Sequence, residues 1–386
     1  MNTSWPVLKL GDISQSIDYG LTASADFDIK SNRFLRITDL KDGAVVWNDV
    51  PGCHCDAKEL EKYRLALGDI VFARTGATTG KSYLVSDVYS DAVFASYLIR
   101  VKPDPKRIDS CYLAHYFQTP FYWQQIGQNS TGSAQAGVNA TKLGALDVAV
   151  PPIAEQKRIA AILDKADALR QKRKQSLKLL DEFIRSVFLE MFGDPVVNPM
   201  GWEVNTLDEL GKITTGSTPP SGLEKMFGGE IPFMTPGDLE NGELTPKRFV
   251  TDDGAIHSRI VRPGSTLVCC IGATIGKVGI VDTKSAFNQQ INAIEWNDKI
   301  SDIYGYHCLR FFKPIIIARG KSTTLPILKK SLFAKLVIPK PPIKLQSKFS
   351  IVVRKAEGLN DKSNASMNEL NTLFNSLVQR AFRGEL

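Results

Sequence analysis

The sequence has little of three things that would mark a specialised class of protein: cysteine, long apolar runs and net charge. Its six cysteines are scattered over 386 residues, which is not the disulfide framework of a small secreted domain. No apolar run reaches the roughly 18 residues of a membrane span, and the first residues lack a signal-peptide core. We therefore expect a cytoplasmic protein that does not enter a membrane.

The charge and the motif content exclude several functions. A net charge of +7 is too small for polyanion binding by charge alone, so any nucleic-acid contact must come from loops. The H-E-x-x-H, [ND]-P-P-[YF] and acid-coupled G-x-G-x-x-G motifs are absent. Cys53 and Cys55 are separated by one residue, whereas structural zinc pairs usually have about two to four between them. These absences favour a protein without a catalytic or metal centre of its own.

The segment ARTGATTGKS (73–82) is similar to a phosphate-binding loop, but its spacing is wrong. Gly76 and Gly80 have three residues between them, not four, and the chain that follows alternates like strands. A second copy, CCIGATIGKV (269–278), has Val278 where such a loop needs a hydroxyl. The pattern predicts a repeated turn between strands, with a nucleotide hydrolase as the alternative.

Three segments recur in the same order about 190 residues apart, which indicates an internal repeat. They pair WPVLKL (5–10) with WEVNTL (202–207), 63–81 with 260–277, and 146–159 with 336–349. The first part of each copy reads as short strands and helices of a mixed α/β domain, and a double proline then precedes a long helical pattern. We expect domains at 1–150 and 194–339, and spacer helices at 151–193 and 340–386. No repeat equivalence is evident among the four histidines, so none stands out as a general base.

Apolar residues recur at alternating intervals of three and four along both helical segments, which is a heptad pattern. A helix of roughly 38 residues forms a rod of about 57 Å. We expect the two helices to pack antiparallel as a coiled coil in an α+β protein with pseudo-two-fold symmetry; the alternative is two amphipathic helices, each on its own domain. The predicted heptad residues are Ile159, Ile162, Ala166, Leu169, Leu177 or Leu180, Phe183, Val187 and Met191, then Phe349, Val352, Ala356, Leu359, Leu370, Leu373, Leu377 and Ala381.

The ordered set LGDIVFARTGATTGK, TGSAQAGVNATKLGALDVAVPPIAEQKRI and MFGDPVVNPMGW resembles the specificity subunit of type I restriction–modification enzymes over essentially the whole chain. The second copy has diverged in sequence at 321–349. The resemblance implies two target recognition domains that read an asymmetric bipartite duplex, with the gap between half-sites set by the helices. A two-fold protein suits such a paired target.

The resemblance also implies the partners of this chain, among them the subunits that perform the chemistry. These are double-stranded DNA, two S-adenosylmethionine-dependent adenine methyltransferase subunits, and two restriction subunits that use ATP and Mg²⁺ for translocation and cleavage. This chain would bind no cofactor or metal itself and would not be an enzyme. A coiled-coil scaffold whose domains bind proteins is the alternative.

Polar loop residues are the candidates for DNA contact, because Arg, Lys, Asn, Gln, Ser and Thr read base edges in the major groove. A structural turn is an equally good interpretation of the glycine segments. The candidates in the first domain are Arg74, Thr78, Thr79, Lys81, Ser133 and Gln135, and those in the second are Thr274, Lys277, Gln289, Gln290, Asn292, Lys321, Ser322 and Thr323.

Overall fold

The computed structural model describes residues 5–40, 44–89, 91–130, 137–220, 225–240, 243–320 and 325–386. The chain divides into two compact units. Unit 1 consists of Met1–Lys174 and Ala365–Leu386, and unit 2 consists of Gln175–Asn364. Each unit therefore contains one of the two sequence repeats and parts of both long helices.

Unit 1 mixes short strands and short helices ahead of the first long helix. Its strands are β1 (Val7–Lys9), β2 (Ser14–Tyr19), β3 (Phe34–Leu35), β4 (Ile70–Ala73), β5 (Ser82–Leu84), β6 (Val93–Phe94), β7 (Leu98–Pro103) and β8 (Asp147–Ala149). Its helices are α1 (Ala57–Tyr63), α2 (Ser110–Tyr116), α3 (Pro120–Ser130), α4 (Ala140–Gly144) and the start of α5 (Ile153–Phe192).

Unit 2 contains the corresponding elements with additional strands. Its strands are β9 (Val204–Thr206), β10 (Gly211–Thr215), β11 (Phe227–Met234), β12 (Leu239–Glu240), β13 (Glu243–Leu244), β14 (Phe249–Val250), β15 (Ile260–Val261), β16 (Thr266–Cys269), β17 (Val278–Ile280), β18 (Ser285–Phe287), β19 (Ile291–Trp296) and β20 (Val337–Pro339). Its helices are α6 (Leu207–Leu210), α7 (Asp252–Ile256), α8 (Asp302–Phe311), α9 (Lys313–Arg319), α10 (Lys330–Ala334) and the start of α11 (Ile343–Arg383).

The two units have the same sheet topology. A four-stranded sheet has the order β2-β7-β4-β5 in unit 1 and β10-β19-β16-β17 in unit 2, with every pair antiparallel. The strand before each sheet pairs with the strand before the long helix, as β1–β8 and β9–β20. Each unit also has one parallel pair, β3–β6 in unit 1 and β11–β18 in unit 2. We call this shared arrangement of strands the frame. The internal repeat and the expected fold class are confirmed.

Each long helix begins just after its double proline and is anchored by a buried glutamine. Gln156 Nε2 donates to the carbonyl oxygens of Pro151 (2.8 Å) and Arg107 (3.0 Å), and its Oε1 accepts from Asp109 N–H (2.7 Å). Gln346 makes the same three bonds in unit 2, to Pro341, Lys299 and Ser301. Both side chains are fully buried, so each amide is satisfied inside the protein and fixes the helix to its domain.

The long helices run antiparallel within unit 1. Arg158 Nη2 donates to the Leu386 carbonyl (2.8 Å), whereas Arg170 Nε donates to Asn371 Oδ1 (2.9 Å). Residue numbers thus rise along α5 as they fall along α11. In unit 2 the later part of α5 contacts the start of α11 through Phe192 and Phe349, whose ring centroids are 5.5 Å apart.

The predicted heptad positions are partly wrong. Leu169, Phe183, Leu359 and Leu373 are 55, 52, 61 and 52% exposed, while Ile159, Phe349, Ala356 and Ala381 are buried as predicted. The buried stripe includes other residues instead, namely Leu163, Ile184, Phe188, Val353, Phe374 and Val378. These residues belong to the two main cores, where rings such as Tyr112 and Tyr304 add a second packing surface. Helix burial therefore follows contact with the domains as well as contact between the helices.

Candidate nucleic-acid interface

The glycine segment of unit 1 is a tight connection between two antiparallel strands. The chain leaves β4, makes a single turn of 3-10 helix at Gly76–Thr78 and enters β5. Gly76 (φ +79°) and Gly80 (φ +83°) adopt the left-handed conformation that glycine tolerates. The Gly80 N–H donates to Ala73 O (2.9 Å), so it is used within the hairpin.

Unit 2 repeats this geometry bond for bond. Gly272 (φ +92°) and Gly276 (φ +87°) take the same conformation, and the Gly276 N–H donates to Cys269 O (2.8 Å). No helix follows either turn, since β5 and β17 come next and pair back on the preceding strand. A phosphate-binding loop needs a helix there, so the nucleotide hydrolase alternative does not fit.

Beside the turn of unit 1, three neighbouring strand ends bring an arginine and two tyrosines to one sheet edge. Tyr19 ends β2, Arg74 follows β4, and Tyr97 precedes β7; the Arg74 N–H donates to Tyr97 O (3.1 Å). The Arg74 guanidinium lies over the Tyr19 ring, 5.0 Å from its centroid. Arg74 is exposed, as are Tyr19 (41%) and Tyr97 (60%). The edge thus presents a cation and two aromatic rings to solvent.

The same three positions carry different chemistry in unit 2. Backbone bonds align Cys270 with Arg74, because the Cys270 N–H donates to Gln290 O (2.8 Å). Gln290 therefore corresponds to Tyr97, and Thr215, which ends β10, corresponds to Tyr19. Gln290 Oε1 accepts from Asn288 Nδ2 (3.1 Å), so this edge presents amides where unit 1 presents rings.

The neighbouring predicted residues divide into exposed and internally bonded side chains. Lys81 and Gln289 are exposed, and Gln289 Oε1 accepts from Thr218 Oγ1 (2.8 Å). Three others are half-buried: Thr79 Oγ1 donates to Gly76 O (2.7 Å), Thr274 Oγ1 is 3.3 Å from Cys269 Sγ, and Lys277 Nζ donates to Pro236 O (3.4 Å). Thr78 is also half-buried within its turn.

Asn292 does not lie where DNA could reach it. Its side chain is 3% exposed, and its Oδ1 accepts from Thr215 Oγ1 (2.6 Å) inside the sheet. The sequence NQQIN (288–292) does not show where β19 begins, so it does not show which of its amides point outward and which point inward. The predicted DNA contact by Asn292 is therefore wrong.

Five predicted residues lie outside the described residues: Ser133, Gln135, Lys321, Ser322 and Thr323. The described residues that follow them adjoin the glycine turns. Gly137 bridges Thr75 in unit 1, and Ile327 bridges Ile271 in unit 2. Gly137 and Ile327 thus occupy equivalent places in the repeat.

A basic cleft adjoins the unit 2 edge, and sequence reasoning missed it. It has a volume of about 550 Å³ and is lined by Lys212, Thr214, Thr215, Ser258, Arg259, Ile260, Ile213 and Lys330. Its three cations come from β10, the segment after α7, and α10. These elements are far apart in the sequence, so no local pattern pointed to the cleft.

Two histidines are repeat equivalents, contrary to the sequence analysis. Tyr112 Oη donates to Ala149 O and Tyr304 Oη to Pro339 O, which aligns α2 with α8. His115 and His307 then occupy the same position, three residues after each tyrosine. His115 Nε2 lies 2.7 Å from Asp164 Oδ1, whereas buried His307 Nε2 has no hydrogen-bond partner among the described residues. Each ring packs inside its unit near a long helix.

The Cys53–Cys55 segment shows the features of ordinary thiols. Burial raises the pKa of Cys53 to about 11, so the thiol stays protonated at neutral pH. Within the described residues, no three His, Cys, Asp or Glu side chains cluster as metal ligands would. The same part of the chain also includes no helix with the length and apolarity needed to cross a bilayer.

Comparison with known proteins connects this frame to one family. The family model for the type I restriction modification DNA specificity domain matches twice, at residues 2–179 and 199–371. A Methanocaldococcus jannaschii protein provisionally named the type I restriction enzyme MjaX specificity subunit is 25% identical over 364 residues, 89% of this chain and 84% of that one. The Haemophilus influenzae type I restriction enzyme HindI specificity subunit is 29% identical over 202 residues, which cover 49% of this chain and 42% of the relative.

A solved structure has the same fold. The crystal structure of the type I restriction–modification S subunit from M. genitalium covers 99% of this chain and 96% of its own, with a TM-score of 0.62 at 15% identity. The family matches both repeats, and the repeats share one frame with different residues at the sheet edge. The chain therefore belongs to the family of type I restriction–modification specificity subunits, with two DNA recognition domains, and the scaffold alternative is not favoured.

Proposed function

We propose that each unit reads one half of a bipartite duplex through the strand ends beside its glycine turn, with domains at 1–150 and 194–339. One observation carries this proposal: two identical turns support three aligned positions whose side chains differ completely, Tyr19, Arg74 and Tyr97 against Thr215, Cys270 and Gln290. Cys270 is buried, so the surface variation lies at the two outer positions, which are exposed tyrosines in unit 1 and half-buried Thr215 and Gln290 in unit 2. A fixed frame with such variation is what two different half-sites require.

The chemistry of the two edges suggests different bases. Arginine pairs bidentately with guanine O6 and N7, whereas glutamine pairs with adenine N6 and N7. Arg74 is exposed and has no carboxylate partner among the described residues, so it is available to a guanine in the first half-site. Gln289 and Gln290 offer amides to an adenine in the second.

Backbone phosphates are contacted by cations beside these edges. Lys81 is exposed next to the first turn, and Lys212, Arg259 and Lys330 line the cleft next to Thr215. Such contacts position the protein without carrying sequence information. Thr78, Thr79 and Thr274 are used within their turns and support the turn geometry.

The partner subunits perform the chemistry in this proposal: two adenine methyltransferase subunits, and two translocating nuclease subunits in the restricting complex. The long helices offer a surface for paired docking. In unit 1, Leu169 and Leu373 are exposed apolar residues at one level of the helix pair, and Phe183 and Leu359 are their counterparts in unit 2. Two equivalent apolar pairs suit two copies of one partner.

The test is a genome-wide map of N6-methyladenine in a host that expresses this chain with its methyltransferase subunit. The map is repeated with residues 1–150 replaced by another recognition domain. We expect two short half-sites around a fixed gap, with only one half changed by the swap. Methylation that does not depend on this chain would refute the proposal and favour the protein-binding scaffold.

A further inference from the structure

A second basic cleft lies within unit 2, between the spacer helix and the recognition domain. Its volume is about 270 Å³, and its lining includes four cationic side chains: Arg185 of α5, Lys277 after the glycine turn, Arg310 of α8 and Lys313 of α9. The remaining lining residues are apolar or glycine. Four separate elements thus bring positive charge to one concave place.

The positive charge of this cleft is only partly balanced. Arg310 forms an ion pair with Asp181 at 2.8 Å, and Lys277 Nζ donates to the Pro236 carbonyl at 3.4 Å. Arg185 stacks over the Phe311 ring, 4.5 Å from its centroid, which holds its guanidinium in place. Arg185 and Lys313 are exposed. Among the described residues, no carboxylate lines the cleft itself.

The corresponding place in unit 1 lacks this charge. Asn375 corresponds to Arg185 by the helix repeat, and Gln118 corresponds to Arg310 by the alignment of Tyr112 with Tyr304. Of these three counterparts, only Lys81, which corresponds to Lys277, is cationic. Since the fold is shared, the charges are not needed to build it.

We propose that this cleft binds a backbone phosphate of the duplex, an inference that rests on the proposed function. Arginine and lysine are the side chains that bind phosphate, Arg through a planar fork and Lys as a point charge. The cleft lies on the opposite end of the glycine turn from Gln290: Gly272 lies near the Gln290 amide, whereas Gly276 lies against Lys313. It therefore holds the strand without reading it, beside the edge that does.

The test compares Arg185→Gln and Lys313→Gln, singly and together, in the complex with the methyltransferase subunit. The matched control is Lys348→Gln with Lys355→Gln, two exposed lysines of α11 in the same unit. Duplex affinity is measured against salt concentration. Each phosphate contact contributes about 0.9 to the slope of log K against log salt, and the cleft holds one phosphate, so the double variant should lose up to about 0.9. Cognate and non-cognate duplexes should weaken by the same factor, and the methylated motif should not change.

Three results would overturn the proposal. An unchanged salt slope in correctly folded variants means that no phosphate binds there. A changed methylation motif means that the cleft reads bases. Impaired assembly with the methyltransferase subunit at an unchanged slope assigns the cleft to a protein contact instead. Failure of the proposed function itself is distinguishable, because the wild-type complex would then show no bipartite methylation.

Discussion

Units 1 and 2 have the same frame but expose different residues on it. The sheet order, the glycine turn and the buried glutamine anchor are the same in both units. The sheet edge beside the turn presents Arg74 and two tyrosines in one unit, and Thr215 and Gln290 in the other. The comparison teaches that interior bonds preserve the frame while the side chains at the strand ends vary, and our proposed readout of two targets uses this variation.

The comparison extends to a buried pair of histidines. His115 is bonded to Asp164 and packs near Phe374, whereas His307 has an unpartnered Nε2 and lies near Arg310. Nε2 of the ring is thus paired with a carboxylate in unit 1, whereas in unit 2 it has no partner among the described residues and lies near a cation. A shared position does not guarantee a shared response to pH.

The largest effect is expected where the shared frame leaves no room. A Cβ at Gly20 would overlap the Phe94 and Ala95 carbonyl oxygens, and one at Gly216 would overlap those of Phe287 and Asn288. We expect Gly216→Ala and Gly20→Ala each to cost at least about 3 kcal/mol, measured by urea unfolding. Gly358→Ala is the control: it has open space in α11 and should stabilise by up to about 1 kcal/mol. Equal tolerance of all three variants would mean that the close approach does not hold the frame.

The glutamine anchors should come next in magnitude. Gln346→Leu removes three hydrogen bonds and leaves the buried Pro341 carbonyl and the part-buried Lys299 carbonyl and Ser301 N–H without this partner, so we expect a loss of about 3 kcal/mol in unfolding free energy. Gln156→Leu should cost a similar amount in unit 1. Gln379→Leu, an exposed glutamine of α11, serves as the control. An unfolding cost below about 0.5 kcal/mol for either variant would show that the hydrogen bonds of that glutamine do not stabilise its unit.

Specificity should separate the units. Arg74→Ala should relax one base pair of the first half-site by about 1–3 kcal/mol and leave the second half unchanged, because the lost contact is to a base edge. Gln290→Ala should do the reverse. Lys81→Ala is the control and should weaken binding without relaxing the motif. The methylome of each variant decides, and a change in both halves from one substitution would contradict separate readout.

Acid should destabilise the protein through His307. Burial and nearby Arg310 lower the pKa of His307 to about 3, whereas an unfolded histidine titrates near about 6.5. Between these values the unfolded chain binds a proton that the folded chain does not, so stability falls as the pH drops. The slope is up to about 1.4 kcal/mol per pH unit. The melting temperature should depend less on pH between pH 7 and pH 5 in His307→Leu than in the wild type. The exposed His257→Leu is the control and should keep the wild-type dependence. Equal dependence in the wild type and both variants would mean that another group causes the effect.

Much of the fold could be predicted from the sequence because three separate pairs of segments mark the two copies of the repeat. The turn residues Gly76 and Gly80, the double prolines and the long helical pattern each locate an element by its local chemistry. The candidate site was harder, since Tyr19 and Tyr97 resemble ordinary strand residues and Asn292 resembles a loop amide. Only pairing of the strands reveals which of them meet at the edge.

The sequence by itself determined that there are two copies of one frame, where the turns fall and where the long helices begin, because glycine, proline and apolar period act locally. The tertiary structure alone decided which apolar residues are buried along those helices, since Leu163 and Leu169 differ only in what packs against them. It also decided which cations meet, as Arg185, Lys277 and Lys313 come from separate elements. Burial and electrostatics depend on neighbours in space, and those neighbours are set by the fold.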